Sequence, residues 1–306
     1  MLTSAQSPVV QHRLGWPCPP GMSGRLAQVR ASTLALLAPA SRRGPGSAGA
    51  CTWCSGTGLT ASHAGEMIAD VARLRPPAAT AIDQCHLDVG SLAFRLAAMT
   101  ALRPAGSSRV AFVGDDDLAS VALLRAQPPA ALLVADIDER VLGVITGEAR
   151  RLGTAGVLSA MHLNLTFPGD LSRLLVAHGE SYDLVVTDPP YAEDGMRAFI
   201  RAAMHLTAFG GEVHAAVPAL LAEAWSDELL WLVQRELADG GFVVERLVPG
   251  AFTYEGSDVI SSLVVARRMA GSILPAPPAG APASGRFYTT RTAPGNLGRA
   301  VPLPGT

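Results

Sequence analysis

The chain has 306 residues, 49% hydrophobic and 16% charged, with a formal net charge of −2. Such a length holds one large α/β domain with appendages and a sizeable core, while the 24 basic residues, all arginine, form no dense cluster of the kind that a nucleic-acid partner requires. No uncharged apolar run reaches the ~18 residues of a membrane span. The N-terminus also lacks an apolar core ahead of a cleavage site, so the expected location is the cytoplasm, with no membrane partner.

Residues 1–60 are rich in Gly, Pro, Ser, Ala and Arg without helical or strand periodicity, the composition of a disordered leader. Cys51 and Cys54, followed by Gly56 and Gly58, resemble half of a zinc-ribbon knuckle. A second CxxC is missing, leaving His63, Cys85 and His86 as the residues that could complete a set, and no metal is expected. Residues 61–104 read as a helical lead-in. One helix spans about 63–75 with Met67, Ile68, Val71 and Leu74 on one stripe, closed by Pro76-Pro77, and another spans about 89–102 with Leu92, Phe94, Leu96 and Met99.

From Arg109 the pattern alternates. Strands are expected over 109–114, 131–136, 156–161, 182–187 and 212–217, with helices over 118–126, 139–152, 196–206 and 221–238. Two more strands, 242–249 and 259–267, close the series. Near-continuous Val/Leu/Ala strands between helices indicate a parallel sheet covered on both faces. The expected class is therefore α/β, a seven-stranded Rossmann-like sheet over 105–270 with one antiparallel strand near its end. Residues 271–306 read as a Pro/Ala/Gly-rich mobile tail carrying Phe287-Tyr288.

Ligands of such sheets sit beyond the carboxyl ends of the strands. Gly114-Asp115-Asp116-Asp117 follows the first strand, where ordinary nucleotide sites place several glycines so that backbone N–H groups can approach an anion. Three carboxylates reverse that requirement: one suffices to cap a helix, and the others repel each other unless a cation is present. Asp136 closes the second strand and can accept from both ribose hydroxyls, with Ile137 beside it to pack on adenine, while Asp138 caps the next helix. Asn164 lies past the third strand. Asp188-Pro189-Pro190-Tyr191 closes the fourth, its prolines fixing a carboxylate and the following carbonyls toward a reacting amine.

Gly-Asp-Asp-Asp, Asp136-Ile137-Asp138-Glu139 and Asp-Pro-Pro, in this order and spacing, resemble the branched-chain polyamine synthase family, the N4-bis(aminopropyl)spermidine synthases. The resemblance extends upstream through Ile82-Asp83-Gln84 and the helix containing Arg95, covering roughly residues 50–267. It implies aminopropyl transfer from decarboxylated S-adenosylmethionine to an amine of a polyamine such as spermidine, releasing methylthioadenosine. Asp115, Asp116, Asp117 and Asp188 would form the acidic amine site, joined by Tyr191, Asp83 and Gln84 as substrate contacts. Gly114, Asp136, Ile137 and Asn164 would hold the donor. Either Asp116 or Asp188 would take the proton, and a homodimer is compatible with this reading. Where archaeal-type members carry an acid, this chain has Tyr191. Because Asp-Pro-Pro-Tyr also serves S-adenosylmethionine-dependent N-methyltransferases, methyl transfer to an amino group is the alternative, and a non-catalytic polyamine- or nucleoside-binding protein is a third reading.

Overall fold

The computed structural model describes residues 61–100, 106–218, 224–274 and 287–289. The leader with Cys51 and Cys54, and most of the tail, fall outside these residues. Two helices, α1 (Ala61–Arg73) and α2 (Val89–Thr100), precede a seven-stranded sheet. Its strands are β1 (Arg109–Val113), β2 (Ala131–Asp136), β3 (Leu158–His162), β4 (Tyr182–Thr187), β5 (Thr207–Pro218), β6 (Phe242–Thr253) and β7 (Ile260–Arg268). They lie in the order β3-β2-β1-β4-β5-β7-β6. The first five run parallel, and β7 is antiparallel to both β5 and β6. The chain is thus an α/β protein of the methyltransferase-like type.

The connecting helices are α3 (Ala119–Ala126), α4 (Glu139–Arg151), α5 (Pro168–His178), α6 (Glu193–Leu206) and α7 (Ala224–Asp239). Side chains alternate across a strand, so each central strand feeds two cores. On β1, Val110 and Phe112 pack with α1 to α4, whereas Ala111 and Val113 face α5 to α7. Leu132 and Val134 of β2 repeat the first pattern, and Leu133 and Ala135 the second. Phe112, buried to 1% exposure, is representative: truncation to Ala would cost about 3–5 kcal/mol, transfer and cavity together.

Three expectations needed revision. Helix α5 is not among the expected elements, since Pro168-Gly169 resembles a loop; yet proline is well placed at the start of a helix, where its missing N–H is no loss, and Leu171 and Leu174 are buried beneath it. Strands β5 and β6 extend to 12 residues each, longer than their apolar runs suggest. β6 accommodates the extra length with register shifts between Val244 and Arg246 and between Val248 and Phe252.

Candidate active site

The strand order reverses between β1 and β4, and a cavity of about 310 Å³ opens over their carboxyl ends, where the topology of open α/β sheets puts ligands. Gly114, Asp116, Asp136, Ile137, Asp188, Tyr191, Asp83 and Gln84 line it. Asp115, Asp117 and Asn164 do not.

Gly114 turns the chain out of β1 at φ +76°, a conformation that favours glycine, and a Cβ there would sit 3.2 Å from the Phe199 ring. The three aspartates that follow have three different roles. Leu118 stands at the N-cap of α3 with no side-chain acceptor, so Asp115 caps in its place, its two oxygens accepting from the N–H groups of Ala119 (2.8 Å) and Ser120 (3.1 Å). Asp117 is 1% exposed and accepts from the Leu87 N–H at 2.6 Å and from Arg95 Nη1 at 3.0 Å. Arg75 lies against it as well, with Nε donating to the Asp117 carbonyl at 3.1 Å. The expected amine contacts at Asp115 and Asp117 are therefore corrected: the protein's own donors occupy both carboxylates. A helix terminus and two guanidinium groups offset part of the mutual repulsion within the fold.

Asp116 alone of the three faces the cavity, and no described residue donates a hydrogen bond to it. Burial raises its proton affinity well above the usual carboxylate range, and the nearby charges of Asp117, Asp188 and Asp136 raise it further.

Across the cavity Asp188 is held from two sides. Arg95 Nη2 donates to Oδ2 at 2.6 Å, and the Tyr254 hydroxyl reaches both oxygens at 3.1 and 3.2 Å. Burial raises the Asp188 carboxyl, with Arg95 as the chief opposing influence. Arg95 is the single charge in the apolar helix α2, joins Asp117 to Asp188, and lies 4.6 Å above the Phe252 ring. Burial disfavours its charge, but Asp188 and Asp117 more than offset this and its pKa is raised. Behind Asp188 the hydroxyl of Tyr254 meets that of Tyr191 at 2.9 Å and Ser261 at 3.0 Å, and Tyr191 also touches Ser261. Burial, followed by the charge of Asp188, raises the pKa of both phenols well above the ordinary value, so they act as neutral donors.

The other end of the cavity is built on β2. Asp136 accepts from the backbone N–H of Asp115 (2.7 Å) on one oxygen and of Asp138 (2.8 Å) on the other. These bonds hold its carboxylate plane rigidly and leave lone pairs toward the cavity. Burial raises its pKa to about 6 against those same hydrogen bonds. Asp138 caps α4 through the Arg140 N–H, as the sequence indicates, and also binds Gln84 Nε2 at 3.1 Å. Asn164 is corrected: its side-chain oxygen accepts from the N–H and hydroxyl of Thr166, forming a local turn outside the cavity lining. On the far wall Phe287 packs against Phe199, and Tyr288 and Thr289 line the cavity, with the Thr289 N–H donating to Asp83. The tail pair thus reaches the site.

Arg95, Tyr254 and Ser261 were missed at the sequence level. A lone arginine inside the apolar run of α2 was a usable signal, because a buried guanidinium needs a carboxylate. The other two had none, lying 66 and 73 positions beyond Asp188.

Comparison with known proteins supplies the family. Residues 64–276 match the branched-chain polyamine synthase A C-terminal domain. The chain is 30% identical over 240 residues to the N(4)-bis(aminopropyl)spermidine synthase of Thermus thermophilus, covering 75% of this chain and 65% of that protein. To the enzyme of the same name from Thermococcus kodakarensis it is 29% identical over 161 residues, 51% of this chain and 44% of the relative. It therefore spans about half the length of the first curated relatives it matches. The crystal structure of the branched-chain polyamine synthase from Thermus thermophilus, in complex with N4-aminopropylspermidine and 5'-methylthioadenosine, superposes with a TM-score of 0.60 at 24% identity. The overlap covers 78% of this chain and 73% of that one, a likeness of fold. From the extent of the domain match, this chain belongs to the branched-chain polyamine synthase family.

Proposed function

We propose that this chain transfers the aminopropyl group of decarboxylated S-adenosylmethionine to an amine of a polyamine such as spermidine, giving a branched polyamine and methylthioadenosine. Asp116 carries the reading: a carboxylate to which no described residue donates, raised in proton affinity, facing a cavity whose opposite wall holds Asp188. A cationic acceptor must lose a proton before its lone pair can attack, and a carboxyl with raised proton affinity is suited to accept it. The names of the relatives, and the product and nucleoside in the Thermus thermophilus complex, support the same reading.

In this scheme Asp136 accepts hydrogen bonds from the ribose hydroxyls and Ile137 packs on the adenine. Asp188 accepts from the acceptor N–H and aims its lone pair at the carbon bound to the sulfonium. The amine nitrogen forms a bond to that carbon, the carbon–sulfur bond breaks, and its electron pair returns to sulfur to give a neutral thioether. The ammonium proton given up before attack is the one that passes to Asp116, and the product nitrogen keeps its remaining proton as an ammonium. Incoming positive charge favours the ionised form of Asp116, so acceptor binding prepares the base.

Methyl transfer to a base in nucleic acid is less well supported. The 24 basic residues form no dense cluster of the kind a nucleic-acid partner requires, and the cavity is lined by the carboxylates Asp83, Asp116, Asp136 and Asp188. Mass analysis after mixing the protein with spermidine and either decarboxylated or intact S-adenosylmethionine tests the reading. An aminopropyl adduct with methylthioadenosine is expected; a methylated product, or none, would refute it.

A further inference from the structure

Three hydroxyls from distant parts of the chain converge behind Asp188: Tyr191 from the loop after β4, Tyr254 at the end of β6 and Ser261 on β7. Each carries one proton. Tyr254 contacts both oxygens of Asp188, and an ionised carboxylate can only accept, so the Tyr254 proton points at Asp188. The two remaining protons must then circulate among the hydroxyls, and Tyr254 receives one from Tyr191 or Ser261. The result is a directed chain of donors ending on the carboxylate, in which each bond polarises the next.

We propose that Tyr254 is a positioning residue for Asp188, fixing the orientation of its carboxylate and, through Tyr191 and Ser261, lowering its affinity for a proton. The catalytic part of this inference rests on the aminopropyl-transfer reading; the contact itself does not. Arg95 from α2 holds Oδ2, and the Tyr254 hydroxyl, shared between Oδ2 at 3.1 Å and Oδ1 at 3.2 Å, is the donor among the described residues that reaches Oδ1 and sets the remaining rotation. The other charged or titratable groups facing Asp188 are Asp116 and Asp117 from the β1–α3 loop, Cys85 from the segment ahead of α2, and Tyr191 from its own loop. Asp116, Asp117 and Asp188 all carry like charge when ionised, so without its hydroxyl donor Asp188 would bind a proton more readily.

The test is Tyr254→Phe, which keeps the ring and leaves Tyr191 and Ser261 paired with each other. In protein labelled with 13C at aspartate carboxyls, the midpoint of the Asp188 titration is expected to rise by roughly one pH unit. Ser261→Ala, which retains both rings, should shift it in the same direction by less. In the aminopropyl-transfer assay, Tyr254→Phe should lower kcat about tenfold with little change in the KM for the acceptor. The acidic limb of its pH–rate profile should move to higher pH, because a larger share of Asp188 is protonated at each pH. A residue that merely fills space would leave that limb in place. An unmoved Asp188 midpoint in Tyr254→Phe overturns the proposal, and if that variant does not fold, an unmoved midpoint in Ser261→Ala does so. Failure of the wild-type protein to transfer an aminopropyl group would refute the reaction reading instead, and the NMR titration would still decide the contact.

Discussion

The loop after β1 and the loop after β4 each bring a carboxylate to the same cavity, and they treat it in opposite ways. Asp188 is gripped by Arg95 and Tyr254, so its direction is fixed and its charge compensated. Asp116 has no donor among the described residues, while Asp115 and Asp117 on either side take up the helix terminus and the arginines. A gripped carboxylate is good at orienting an N–H, and a bare one is good at taking a proton. Chemically identical side chains have been differentiated by the donors around them.

Exchanging Asp116 should break this contrast most completely. Asp116→Asn is expected to lower kcat by roughly 10³-fold, within the range of a lost general base, as read by product mass over time. Its folded-state pKa is raised, so above the unfolded value the ionised carboxyl opposes folding; the same variant should melt higher than wild type at pH 8. Asp117→Ala should do the reverse, leaving the Leu87 N–H without its acceptor and Arg95 with Asp188 as its remaining carboxylate, and costing about 3 kcal/mol or more in denaturant unfolding.

The donor end offers a milder test. Below a pKa of about 6, protonation of Asp136 removes an acceptor that the ribose hydroxyls would use. Affinity for methylthioadenosine, measured by calorimetry, should fall about tenfold between pH 7 and pH 5, and Asp136→Asn should flatten that dependence. Asp115→Ala should be the gentlest, about 1 kcal/mol of stability for a lost cap, with kcat within about twofold of wild type. A loss at Asp115 as large as that at Asp116 would show that the acidic loop works as one cluster after all.

Much of the fold was legible because its signals are local. Val110 to Val113 and Leu132 to Ala135 are buried on both faces, and such strands read as unbroken apolar runs. Helix α5 was not, because Pro168-Gly169 imitates a loop and only a few leucines face the core. In the site, Gly114, Asp116, Asp136 and Asp188 were legible as residues at strand ends. Their division of labour was not. Counting carboxylates gives the charge of a loop but not the direction of the N–H groups that neutralise it, and Arg95 lies 93 residues from Asp188. Asn164 shows the same limit on a smaller scale: its position past β3 suggests a donor contact, but Thr166, two residues on, already holds its oxygen.

The antiparallel placement of β7 has an architectural consequence. Since β7 runs against both neighbours, the end of β6 and the start of β7 meet at the same edge as the carboxyl ends of β1 and β4. One wall of the cavity, with Tyr254, Ser257 and Val259, is therefore the tip of a hairpin, while the donor wall is made of crossover loops locked by helices on either side. Hairpin tips change length and composition without disturbing the strands beneath. Under the proposed aminopropyl transfer, residues 256–259 form the part of the lining through which the size of the accepted amine can be altered while the nucleoside end stays as it is, whereas Glu255 is tied back to His86 and Arg75.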